Sequence, residues 1–134
     1  MTTPAPAGTA VLGVDNVLFT VGDLDAAVDF YATALGLDLA FRLDDVGIAL
    51  FRLGPEVPGL LLRRAARDSS AGGGHVWLEV RDANAVAATL ARTGVPEHGE
   101  PFQVATGWTV EVSDPWGNII GFTDYTLMPT RGRP

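Results

Sequence analysis

Cysteine is absent from this chain of 134 residues, and its absence excludes several kinds of site. Without thiols the protein cannot form a disulfide, a thiolate metal site or a cysteine nucleophile. A chain without cysteine is compatible with a reducing compartment. We therefore expect a cytoplasmic protein whose chemistry depends on other side chains.

Basic side chains and long apolar runs are also scarce. Nine lysine and arginine residues stand against 16 aspartate and glutamate residues, which gives a formal net charge of −7. Such a charge repels phosphate backbones, so no nucleic-acid partner is expected. No apolar run approaches the roughly 20 residues that span a membrane, so no membrane partner is expected either. The hydrophobic fraction of 47% is enough for one domain with a substantial core.

The chain contains an imperfect internal repeat. The stretch from Asn16 to Asp23 (NVLFTVGD) is similar to the stretch from His75 to Asp82 (HVWLEVRD). Each stretch alternates with period two, which indicates a strand, and ends at an aspartate that can cap a helix. A glycine then closes each helical pattern. The repeat predicts two related modules that pack together and enclose a ligand cavity.

Both halves are predicted to have the order βαβββ, which makes the fold class α+β with two tandem modules. A single domain, 12–126, comprises module one (12–65), a linker (66–74) and module two (75–126). Flanking segments 1–11 and 127–134 are predicted to be a flexible arm and a flexible tail. The predicted helices are 24–35 and 83–93, and the predicted strands are 12–21, 37–43, 46–53, 59–64, 75–80, 101–105, 107–113 and 118–125.

Alternation along the strands predicts which side chains face the cavity. Apolar residues such as Val17 and Val76 are expected to lie beneath the helices. The opposite, mixed faces are expected to line the cavity and bind a ligand. Trp108, at the start of a strand, fits either the cavity wall or an interface between copies. The predicted ligand-binding residues are Asn16, Leu18, Thr20, Leu62, His75, Trp77, Glu79, Trp108, Glu111 and Gly121.

Three of these residues are candidates for catalysis. His75 with Glu111, and with Glu79 nearby, has the side chains for general acid–base chemistry or for weak binding of a metal. In the simpler interpretation His75 bonds a backbone group and the two glutamates are solvated at the cavity mouth. Trp77 is expected to stack on a planar ligand. The sequence leaves both interpretations open.

Several short strings, in their order and spacing, resemble one family. Together with the repeat, they make residues 12–126 similar to the vicinal oxygen chelate superfamily, which includes glyoxalase I, extradiol dioxygenases, fosfomycin-resistance transferases and bleomycin-resistance proteins. The resemblance implies curved mixed sheets around a concave cavity, commonly in a homodimer. The strings are Val21-Gly-Asp-Leu24, Asp29-Phe-Tyr31, Leu35-Gly-Leu37, Gly74-His-Val76 and Asp114-Pro-Trp-Gly-Asn118.

The resemblance also implies four metal-ligand positions, in the first and last strand of each module. In this chain they fall on Asn16, Leu62 (Leu61 if the strand is shifted by one residue), His75 and Gly121. Only His75 is a good donor, whereas divalent metals need several converging donors. We therefore expect no metal and no other cofactor. A divalent metal held by His75 and Glu111 is the alternative.

The predicted function is metal-independent binding of a small, largely apolar or planar molecule. It resembles the sequestration by which bleomycin-resistance proteins confer antibiotic resistance. The alternative is a glyoxalase- or dioxygenase-like enzyme, that is a lyase, isomerase or ring-cleaving oxidoreductase, with a non-standard site at His75 and Glu111. A third hypothesis is a structural or regulatory dimer with a vestigial cavity. The expected partners are a small-molecule ligand and a second copy of the chain.

Overall fold

The repeat in the sequence corresponds to two four-stranded sheets, each with one helix packed on it. The computed structural model describes residues 10–66 and 70–134. Residues 1–9 of the predicted arm and 67–69 of the predicted linker lie outside the described residues. The prediction of an α+β fold with two tandem βαβββ modules is confirmed. No helix among the described residues is long and apolar enough to cross a membrane.

Module one begins with a strand and a capped helix. The Asp23 carboxylate accepts the N–H of Ala26 at 2.8 Å, so it caps the helix as the sequence predicts. The second half of this helix is wound more widely, as a π-helix in which the N–H of Leu35 bonds the carbonyl of Phe30. The elements are β1 (Asn16–Val21), α1 (Leu24–Val28) with the π-helix Asp29–Ala34, β2 (Asp38–Leu43), β3 (Ile48–Leu53) and β4 (Glu56–Arg64).

Module two repeats this order. The Asp82 carboxylate accepts the N–H of Ala85 at 3.1 Å and caps the second helix. Gly94 follows that helix with φ of +79°, a left-handed conformation that glycine adopts without steric cost. The elements are β5 (His75–Glu79), α2 (Ala83–Arg92), β6 (Phe102–Val104), β7 (Gly107–Ser113) and β8 (Ile119–Thr123).

The two sheets have the same topology. Their strand orders are β1-β4-β3-β2 and β5-β8-β7-β6. The first strand of each module pairs in parallel with the last strand, and the other pairs are antiparallel. The first strand therefore lies at one edge of its sheet. The strand predicted from residue 12 begins only at Asn16, and Leu12 is fully exposed.

Each sheet has two unlike faces. The core face is the side that carries the helix, and the open face is the opposite side. On β1 the core face holds Val17, Phe19 and Val21, of which Phe19 and Val21 are buried, as alternation predicts. Buried side chains of both modules belong to one apolar cluster. It includes Phe19, Val21, Tyr31, Phe51, Leu60, Leu62, Val110, Val112, Ile120 and Phe122.

A turn of module two joins the modules through hydrogen bonds. Asp114 accepts the hydroxyl of Tyr31 at 2.8 Å, and burial together with this carboxylate raises the pKa of Tyr31. The Asn118 amide donates to the carbonyl of Thr20 and accepts from the N–H of Gly74, each at 2.9 Å. These contacts attach the end of β1 to the starts of β5 and β8.

The last residues make contacts that the sequence did not predict. Residues 127–134 were expected to be a flexible tail, but Pro129–Arg131 form a single 3₁₀ turn. Beyond it, Arg133 bonds Glu56 of module one and Glu79 of module two. The tail thus bridges both modules.

Candidate functional site

The open face of module two brings together three of the predicted site residues. His75 and Trp77 lie on β5, and Glu111 lies on β7, with Gly121 of β8 between them in register. The Nε2 atom of His75 is 2.5 Å from Oε2 of Glu111. The indole N–H of Trp77 donates to the same oxygen at 2.8 Å. The predicted His75–Glu111 pair is therefore present in the structure.

The electrostatics of this pair favour an ionised carboxylate. Burial raises the pKa of Glu111, but hydrogen bonds from Trp77 and His75 and the charges of His75 and His98 together lower it below its usual 4.5. The Glu111 side chain is 13% exposed, whereas that of His75 is 55% exposed. Among the described residues no hydrogen bond reaches the second oxygen, Oε1. The pair therefore presents an accessible imidazole supported by a mostly buried anion.

Trp77 covers the space above Gly121. A Cβ atom added at Gly121 would overlap the indole ring and would lie 2.7 Å from its Nε1. Trp77 is 44% exposed and packs beside Phe102, with 6.0 Å between ring centroids. The two rings form an apolar surface next to the Glu111 carboxylate. Sequence reasoning missed Phe102, because the signal for β6 was weak.

Glu79 is on the same face in register, but the structure does not bring it to His75. Arg133 donates to Glu79 through its backbone N–H at 2.8 Å and through its guanidinium at 2.5 Å. These hydrogen bonds lower the pKa of Glu79. No sequence pattern linked Glu79 to a residue in the tail.

The open face of module one holds the other predicted residues of β1. The Asn16 side chain donates to Asp15 at 3.1 Å, and Leu18 is 45% exposed. The Thr20 hydroxyl accepts the N–H of Gly72 at 3.2 Å, so it holds the segment before β5. This face therefore offers mainly apolar contact rather than acid–base chemistry.

The prediction that Leu62 faces the cavity is wrong. Leu62 pairs with Phe19 and is fully buried in the core. Leu61, the candidate if the strand is shifted by one residue, pairs with Leu18 on the open face. Successive side chains of a strand point to opposite faces, so a shift of one residue exchanges the two leucines.

Trp108 also lies away from the open face. It pairs with Gln103 and alternates with Thr109, so it shares the core-face parity of Val110. Trp108 therefore does not belong to the predicted cavity wall, because its side chain and that of Glu111 lie on opposite faces of the sheet.

An apolar row crosses the open face of module one. Leu18 of β1 pairs with Leu61 of β4, which pairs with Leu50 of β3, which pairs with Phe41 of β2. Leu18 and Phe41 are about equally exposed, at 45% and 44%. We call these four residues the apolar row. The two open faces thus differ, one being apolar and the other carrying the His75–Glu111 pair.

The donor set does not fit the divalent metal that the family resemblance implies. With the corrected register the four positions hold Asn16, Leu61, His75 and Gly121, and only His75 has a strong donor. Its Nε2 already bonds Glu111. Across residues 10–66 and 70–134 no three His, Asp or Glu side chains are grouped to hold one ion. His75 and Glu111 alone supply fewer donors than a protein site for such an ion uses.

The sequence matches the family described as the Glyoxalase/Bleomycin resistance protein/Dioxygenase superfamily over residues 13–122. The chain belongs to this superfamily. The match covers most of both modules, from before β1 to β8. It agrees with the paired βαβββ topology and with the strings from which the sequence resemblance was inferred.

Individual superfamily relatives are similar over most of the chain. A 2-epi-5-epi-valiolone epimerase from an Actinomyces species is 33% identical over an alignment of 139 positions, which covers 79% of this chain and 75% of that protein. The solved structure of a glyoxalase/bleomycin resistance protein from Streptomyces sp. CB03234 is 28% identical with a TM-score of 0.66, and the match covers 81% of this chain and 99% of that one.

A more distant solved structure supports the fold alone. A superfamily member from Sphaerobacter thermophilus is 22% identical with a TM-score of 0.73. The match covers 85% of this chain and 98% of that chain. At this identity the similarity concerns architecture and carries no information on activity.

Proposed function

We propose that the open faces bind a small, largely apolar or planar molecule without a metal, as in sequestration by a bleomycin-resistance protein. The observation that carries this proposal is the surface of Trp77 and Phe102 beside the His75–Glu111 pair. A flat ligand can stack on the exposed indole, and His75 can bond a polar group of the same ligand. Pockets of this type combine an apolar wall with a few polar anchors.

The hydrogen bond from Trp77 to Glu111 supports this role. It fixes the orientation of the indole before a ligand arrives, so little side-chain entropy is lost on binding. Aromatic stacking contributes about 1 kcal/mol beyond the burial of area. Glu111 thus acts mainly by positioning Trp77 and His75.

We also propose that a second copy of the chain completes the site. The apolar row of one copy would cover the Trp77–Phe102 surface of the other, which would enclose the ligand between an apolar and a polar wall. The exposure of Leu18 and Phe41 supports this arrangement, because monomers rarely expose large contiguous apolar patches.

Light scattering tests the dimer. The Phe41→Asp variant should have the mass of one chain, and the wild type should have the mass of two. A wild type that stays monomeric at high concentration would exclude the dimer.

Calorimetric titration with planar aromatic compounds, antibiotics among them, tests ligand binding. We expect Trp77→Ala to weaken binding of a hit about tenfold or more, since it removes both the stacking surface and an anchor of Glu111. Trp108→Phe, a change on the opposite face, is the matched control and should bind normally. Unchanged binding by Trp77→Ala would contradict the proposal. So would stoichiometric metal in wild-type protein purified without chelator, if His75→Ala and Glu111→Ala both lose it.

A second candidate function is isomerisation by proton transfer. It is favoured by the short His75–Glu111 contact and by the 33% identity to a protein named as an epimerase. Here His75 would remove a proton from carbon next to a carbonyl and return it, while ionised Glu111 stabilises the charged imidazole. The test is deuterium exchange from D₂O into 2-epi-5-epi-valiolone, followed by NMR. Exchange that survives His75→Ala would exclude this role.

A further inference from the structure

A pocket of about 430 Å³ lies between the two modules. Residues of β1 and β5 line it, together with the turn between β3 and β4, and they include Trp77 and Glu79 of the open-face parity. The size lies within the range of small-molecule sites. His75 and Glu111 are not among its lining residues. Its apolar lining includes Val17, Leu37, Leu53, Val76, Leu78 and Phe122.

Two carboxylates from different modules stand at this intermodule pocket. Glu56 begins β4 of module one, and Glu79 ends β5 of module two. Arg133 lies between them. Its Nε is 3.0 and 3.2 Å from the two oxygens of Glu56, and its Nη1 is 2.5 Å from Glu79. Within the described part of the chain, Arg133 makes every hydrogen bond to these two carboxylates.

Another cation can readily replace the guanidinium of Arg133 between the two carboxylates. Its side chain is 63% exposed, so its ion pairs with Glu56 and Glu79 are screened by water and contribute little to stability. A ligand cation that bonds the same oxygens replaces those contacts. If the ligand also has an apolar body, it gains burial in the pocket that the arginine side chain does not provide.

We propose that the intermodule pocket binds a small organic cation, with an apolar body inside and an ammonium or guanidinium group between Glu56 and Glu79. Arg133 occupies the cation position in the free protein and competes with the ligand. Charge complementarity sets this preference, because the two carboxylates come from opposite walls and the chain has a net charge of −7. This site does not include His75 or Glu111, although Trp77 both lines it and donates to Glu111.

Three probes that share one body but differ in charge test the proposal. They are 3-phenylpropylamine, 3-phenylpropan-1-ol and 3-phenylpropanoate, each titrated into the full chain and followed by amide NMR. We expect the amine to shift the amides of Leu53 and Glu56 in a saturable way. The alcohol should bind at least about fivefold more weakly, and the carboxylate should not saturate. The amides of His75 and Glu111, which do not line the pocket, report separately on the open face.

Two variants identify the groups responsible. Arg133→Ala should bind the amine about threefold more tightly, because the competing cation is gone. Glu56→Gln with Glu79→Gln should make the amine and the alcohol bind alike. Equal binding of amine and alcohol by the wild type, weaker binding of the amine by Arg133→Ala, or no saturable shift at Leu53 and Glu56 would each overturn the proposal. Shifts at the amides of His75 and Glu111 alone would assign the probe to the open face and would also overturn it.

Discussion

One carboxylate oxygen of Glu111 organises the site on module two. It accepts from His75 and Trp77 together, so both side chains have a defined orientation although they lie on an edge strand. A hydrogen bond to a charged group contributes more to stability than a neutral one. The stability of this face therefore depends on whether Glu111 is ionised.

The lowered pKa of Glu111 predicts how Glu111→Gln depends on pH. A carboxylate whose pKa is lower in the folded state stabilises the fold above its unfolded value of about 4.5, and this contribution is lost as pH falls through the lower folded pKa. The wild type should therefore melt at a higher temperature than Glu111→Gln at pH 7, and the difference should vanish towards pH 3. Glu100→Gln, at an exposed position, is the control. A difference that is constant from pH 3 to 7 would refute the assignment.

The two neighbouring leucines of β4 allow a matched test of the register. Leu62→Ala removes a fully buried side chain from the core and should lower the free energy of unfolding by about 2–5 kcal/mol. Leu61→Ala changes a residue on the open face and should cost less than about 1.5 kcal/mol. Urea denaturation measures both. Equal losses would mean that the register of β1 and β4 is not as described.

At the scale of elements, the sequence predicted both helices and most strands because local patterns specify them. Asp23 and Asp82 cap the helices as expected, and alternation located the buried side chains of β1. The start of β4 was not predicted. The segment that contains Pro55 and Pro58 has the composition of a turn, whereas the strand begins at Glu56.

The site was also predictable only in part, because local patterns in the sequence do not specify every contact of the site. The repeat indicated His75 with Glu111, because one face of one sheet holds both. However, Leu18 and Leu61 are one residue closer in sequence than their counterparts Trp77 and Gly121, so a constant repeat spacing aligned Leu62 instead of Leu61 with the family's ligand position. The contact of Glu79 with Arg133 joins residues far apart in sequence, and no periodic pattern encodes it.

The cap of α2 should matter for the whole module. Asp82→Ala leaves the N–H of Ala85 without its partner and should lower the free energy of unfolding by about 1 kcal/mol. Asp82→Asn keeps an acceptor oxygen and should cost less. Chemical denaturation followed by circular dichroism compares the two variants. An asparagine variant as unstable as the alanine variant would show that charge, rather than the hydrogen bond, supports this helix.

At the scale of the molecule, the two modules share one core, so they should not unfold independently. Buried side chains of both sheets form a single cluster, and Asn118 bonds the backbone of Thr20 in module one. Calorimetry at fixed protein concentration should show one transition. Asn118→Ala should lower its midpoint by several degrees without dividing it, since about 1–3 kcal/mol is lost when buried partners are left unpaired. Two resolved transitions in the wild type would contradict this prediction.

The ring above Gly121 also restricts how this lineage can change. A glutamate at position 121 would need volume that the indole already fills, so one substitution cannot place a ligand side chain there. Replacing the indole first would remove the exposed ring that packs beside Phe102. A metal site at the four family positions would therefore require a smaller side chain at position 77 together with donor side chains at positions 16, 61 and 121.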